Sequence, residues 1–116
     1  MSKLKLVLIF ILLSASSCLR ATEESCKSIV TSESQFKDSI PSGLEVNDGI
    51  YAVSIKLKGR IENEIQFNEF LLPSGQVDTL ISNRDYYSPT FHYELLNKSG
   101  GDVELDVCIG FAYSPN

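Results

Sequence analysis

Val103-Glu104-Leu105-Asp106-Val107-Cys108-Ile109-Gly110-Phe111 alternates apolar and polar or small residues over nine positions without a break. A period of two is that of a half-buried strand. No helix can be drawn through the stretch without placing carboxylates in the core. The pattern therefore predicts a central strand that buries Leu105, Val107 and Ile109. Asp102, Glu104 and Asp106 then lie on the opposite face, across from Lys56 or Lys58 on an antiparallel neighbour.

Working back from this strand, Asn97-Lys98-Ser99-Gly100-Gly101 has the glycines of a hairpin loop. Before it, Thr90 to Leu96 places Phe91, Tyr93 and Leu95 on one face. Ser82 to Asp85 looks like a loop and Gln76 to Ile81 a short strand, entered through the turn Pro73-Ser74-Gly75. Glu64 to Leu72 starts as a strand with Ile65 and Phe67 on one side. Its alternation fails at Phe70-Leu71-Leu72, which marks a bulge or a crossing between sheets. Ile50 to Lys58 alternates again, with Tyr51, Val53, Ile55 and Leu57 on one face, until Gly59-Arg60 interrupts it. Between Ser28 and Ser39 no period is clean, and an edge strand at Ile29 to Thr31 is the best fit. Many strands separated by turn signals predict an all-β chain, a small antiparallel β-sandwich of immunoglobulin-like or open-barrel type.

At the other end of the chain, Lys3 and Lys5 precede the apolar run Leu6 to Leu13 and the small residues Ser14 to Ser17. This is the layout of a cleaved secretory signal peptide over residues 1–17. The run is too short to span a bilayer, which takes about 20 residues. Ser14-Ala15-Ser16-Ser17-Cys18 resembles the lipobox of bacterial lipoproteins. The resemblance implies acyl chains on Cys18 and a membrane anchor. The polar stretch with Glu23 and Glu24 reads as a tether over residues 18–27, and the length left, 28–116, suits one domain. Ordinary cleavage near Ser16, Ser17 or Ala21 is the alternative, with Cys18 lost or incidental. Three cysteines leave one odd thiol in an exported chain. Lipidation of Cys18 would account for it and leave Cys26 and Cys108 as a disulfide, with Cys108 on the polar face of its strand.

Removing Lys3 and Lys5 leaves eight basic residues against fifteen acidic ones, a mature net charge of −7. Nucleic-acid binding needs clustered Lys and Arg, so nucleic acid is not an expected partner. The single histidine, His92, falls on the polar face of its strand, where a surface role fits better than that of a catalytic base. Asp102, Glu104 and Asp106 are spaced about 6.5 to 7 Å apart along a strand, too far to converge on one ion. No metal or cofactor is expected, and with no Trp in the chain an aromatic sugar-cleaving platform is not either. Asn97-Lys98-Ser99 matches the N-glycosylation sequon, which matters only in a eukaryotic source.

Arg84-Asp85-Tyr86-Tyr87 is the candidate binding loop, since tyrosines give broad amphipathic contact. One of the two is expected instead to cap the core, with its hydroxyl bonded to backbone. These features predict an exported, non-enzymatic binding or structural module of the cell envelope. As a lipoprotein it would sit in the periplasm or on the outer membrane, with a protein or glycan as partner. Alternatives are a periplasmic enzyme inhibitor acting through Arg84 to Pro89, and a secreted, unlipidated effector.

Overall fold

The computed structural model describes residues 21–115; the stretch 1–17 expected to be a signal peptide, and Cys18, lie outside them. Eight strands run in order: β1 (Ala21–Thr31), β2 (Gln35–Pro41), β3 (Ile50–Ile61), β4 (Ile65–Phe67), β5 (Phe70–Leu72), β6 (Gly75–Asp85), β7 (Thr90–Leu96) and β8 (Val103–Tyr113). They form two antiparallel four-stranded sheets, ordered β1-β8-β3-β6 and β2-β7-β4-β5. The first strand pairs with the last, the second with the seventh, the third with the sixth and the fourth with the fifth. The sandwich predicted from the alternation is present, and this nested order makes it a jelly roll, not the immunoglobulin arrangement.

Strand β8 lies between β1 and β3, as its pattern predicts. Val103, Leu105, Val107, Ile109 and Phe111 are all 2 % exposed or less. Opposite them, the inner face of the second sheet carries an aromatic row. Phe67 stacks on Tyr93 at 5.3 Å, and Phe91 lies 6.4 Å from Tyr93 and 5.2 Å from Tyr86. On the outer face the register sets Glu104 against Arg60 and Asp106 against Lys58. Neither pair closes into an ion pair among the described residues, and Asp106 instead accepts the Ser28 hydroxyl at 2.7 Å.

Several boundaries differ from the sequence reading. Ala21 to Lys27, expected as tether, belongs to β1, which pairs with β8 over its whole length. The polar composition of β1 reflects its position at a sheet edge, where only Ile29 reaches the core. Gly59 does not interrupt β3, which runs on to Ile61. It permits a close approach, since a Cβ there would meet the Glu104 carbonyl oxygen. In β3 the buried residue at the strand's start is Ile50, not Tyr51, because a register shift between Ile50 and Ala52 rotates Tyr51 out of the alternation. Ser82 to Asp85 continues β6, which absorbs one extra residue opposite Val53–Ile55 with Asn83 at φ 54°. A bulge of this kind breaks the alternation without ending the strand. The irregular Glu64–Leu72 stretch is a tight β4–β5 hairpin turning at Asn68, φ 52°.

Asn97 to Gly101 is likewise not a hairpin. It carries the chain from β7 in one sheet to β8 in the other. Asn97 is 1 % exposed. Its side-chain amide donates to the Gly101 carbonyl at 2.7 Å, and its backbone N–H to the Ser34 carbonyl at 2.8 Å. The residue that matches a glycosylation sequon is therefore a buried clamp of the crossover.

Lys27 points inward from β1, beside Val107 in register, and closes the open flank of the sandwich. Its ammonium reaches the Asp38 carboxylate at 3.3 Å and the Ser39 carbonyl at 2.8 Å, both on β2 in the other sheet. An inward lysine also guards an edge strand against pairing with another chain. Hydrogen bonding from the Ser39 backbone holds Asp38 below the usual carboxylate range. Lys27 and the Tyr93 hydroxyl assist, against the opposing effect of burial.

Three predictions test this packing. Leu105→Ala should cost about 2 to 5 kcal/mol in urea unfolding. Gly59→Ala, which adds one methyl against backbone, should cost about 2 kcal/mol or more; a near-neutral Gly59→Ala would mean that β3 and β8 do not approach this closely. The third concerns pH. Because folding lowers the Asp38 pKa, its contribution is complete above its unfolded value of about 3.9 and is lost as pH falls through the folded value. Asp38→Asn should therefore flatten the acid limb of the urea midpoint against pH, and an unchanged profile would count against the Lys27–Asp38 clamp.

Candidate functional site

The two sheets are unequal. β3 and β6 span 12 and 11 residues, while β4 and β5 facing them have three each. Strand β4 reaches β7 only at the end of that strand, opposite Leu95 and Leu96, and Asn68 adds one more rung at Glu94 through its backbone N–H and its side-chain oxygen, both at 2.9 Å. Beyond that rung the Thr90–His92 half of β7 has no strand beside it on this flank among the described residues. A cleft of about 410 Å³ opens there between the sheets.

Tyr86 fills the place of the missing strand. Its hydroxyl donates to the Thr90 carbonyl at 2.7 Å and accepts the His92 backbone N–H at 3.2 Å. Its ring leans on Phe91. This is the capping role expected for one of the two tyrosines. Tyr87, its neighbour, is 71 % exposed and stands outside the cleft. Arg84 faces the cleft because it pairs with inward-facing Val53 across the bulge, and its guanidinium lies 5.1 Å over the Phe70 ring. A cation over an aromatic face is held by the ring quadrupole and keeps its donors free for a ligand.

Of the candidate loop, Arg84, Asp85 and Tyr86 thus line one cleft, together with Phe70, Glu69 and His92. Phe70 and Glu69 could not be placed there from sequence, because their position depends on the hairpin at Asn68. The His92 imidazole is exposed at the rim, and no hydrogen bond to its ring is formed among the described residues. The lining is about evenly apolar and polar, so the cleft offers a ligand both an aromatic surface and convergent polar groups.

Cys26 and Cys108 are joined in a disulfide between directly paired positions of β1 and β8, with Cα atoms 4.0 Å apart. That is the close spacing of facing residues in an antiparallel pair, just under the range usual for disulfides. The bridge lies on the outer face, as the phase of Cys108 predicts. Glu24 is close to both sulfurs, and these three form the only cluster of potential metal ligands among the described residues. With both sulfurs in the disulfide, only one carboxylate remains, which does not make a metal site.

Neither protein-family models nor curated proteins nor solved structures give a match to this chain.

Tyr86→Phe should cost about 1 kcal/mol, because it takes a partner from the part-buried Thr90 carbonyl and from the exposed His92 N–H, whereas Tyr87→Phe should be neutral. Equal effects in thermal or urea unfolding would remove Tyr86 from its bridging role.

Proposed function

We propose that this protein is an exported, lipid-anchored envelope module that binds a protein or glycan and has no catalytic activity of its own. The observation that carries the binding reading is the cleft left by the short β4–β5 hairpin, with an aromatic floor and the Arg84–Phe70 stack at its mouth. Export is supported by the signal-like N-terminus and by a solvent-facing disulfide, which is stable in an oxidising compartment. The anchor is supported by the lipobox-like sequence ending at Cys18 and by the odd cysteine count. A fold of this kind hosts many functions, so the reading rests on the site and the N-terminus and not on the architecture.

Mass spectrometry of the mature N-terminal peptide tests the anchor: diacylglycerol on Cys18 is expected, and an unmodified or absent Cys18 would refute it. Cross-linking in intact cells followed by co-purification, run in parallel on Phe70→Ala/Arg84→Ala and on the outer-face control Lys56→Ala, tests the cleft. Affinity for the captured partner should fall at least about tenfold, or roughly 1.4 kcal/mol, in the cleft variant alone. Equal affinity in both variants would place binding elsewhere.

A further inference from the structure

The strand directions sort the connections into two ends. Ala21, Ile50 and Tyr113 meet at one end through the β1–β8 and β8–β3 registers, so the 42–49 and 86–89 connections lie there too. The opposite end gathers residues 32–34, 62–64, 73–74 and 97–102. Five large apolar side chains are conspicuously exposed among the described residues. Val30, Leu71 and Leu80 sit on strands. The other two, Val46 and Tyr87, sit on connections, and both are at the Ala21 end.

Only Leu19 and Arg20 separate Cys18 from Ala21. Whatever their conformation, they cannot place Ala21 more than about 11 Å from the anchored cysteine. A lipid on Cys18 therefore holds this end of the sandwich against the bilayer, while strands of 11 residues carry the opposite end roughly 35 Å away. Tyrosine is a residue of the membrane interface, with a ring for the acyl boundary and a hydroxyl for the headgroups. Glu45, Asp48 and Asp85 share this end, and carboxylates favour a surface without dense negative charge.

We propose that the Ala21 end rests on the lipid surface, with Val46 and Tyr87 entering the interfacial layer, and that the anchor thereby fixes the domain upright with its flank cleft beside the membrane. This orientation rests on the lipid-anchor reading above.

The chain contains no Trp, so one introduced tryptophan reports its own depth. Tyr87→Trp and Lys98→Trp proteins, each purified with the Cys18 modification and confirmed as folded by circular dichroism, would be reconstituted into phosphatidylcholine vesicles with and without brominated acyl chains. Tyr87→Trp should lose most of its emission to the bromines, and Lys98→Trp, at the far end, should lose none. Equal emission of the two variants in vesicle-bound, diacylated protein would overturn the orientation while leaving the anchor standing. Absence of the diacylglycerol mass on Cys18 would overturn the anchor and the orientation with it.

Discussion

Pairing of the first strand with the last closes this fold. In the nested order each strand finds its partner progressively further along the chain, and β1 with β8 is the longest reach, the bridged cysteines lying 82 positions apart. Contacts so distant in sequence are costly to form and make folding slow. The closing strand also buries little, since β1 contributes only Ile29 to the core. Its place is held by the ladder to β8, by Lys27 reaching β2, and by the Cys26–Cys108 bridge. On the chain-entropy model a loop of that size destabilises the unfolded state by about 4 to 5 kcal/mol, a large part of the net stability of a small domain.

Legibility from sequence followed burial. β8 and β7 could be read residue by residue, because each has one face in the core and the alternation records it. β1 could not, since an edge strand with a polar inner face carries almost no apolar signal, and Ser25 and Lys27 give no hint that they point inward. β6 was half legible: its bulge at Ser82–Asn83 shifts the phase, and everything after it resembles a loop. The Asn97–Gly101 segment shows a different limit. Its glycines report a reversal of the chain, which is real, but nothing local tells a turn within one sheet from a passage to the other.

Much of the candidate site depends on those less legible parts. Arg84 enters the cleft only because the bulge turns it inward, and Phe70 meets it only because Asn68 turns the chain back after three residues. The loop from Arg84 to Tyr87 stands out in the sequence for its tyrosines, yet the two have different roles. Tyr86 replaces a strand in the sheet beside it, and Tyr87 faces outward from the end of the sandwich. The exchange of one missing strand for one hydroxyl leaves the flank open without leaving its backbone unpaired.

The bridge between Cys26 and Cys108 also has a mechanical meaning. Ala21 and Tyr113 are adjacent, so a pull that separates the two ends of the folded domain would unzip β1 from β8 one rung at a time, the weakest way to load a sheet. Five paired positions, from Ala21–Tyr113 to Ser25–Ile109, stand ahead of the disulfide. Tearing would run through those five and stop at a covalent bond, with the rest of the ladder and the core behind it still shielded from tension.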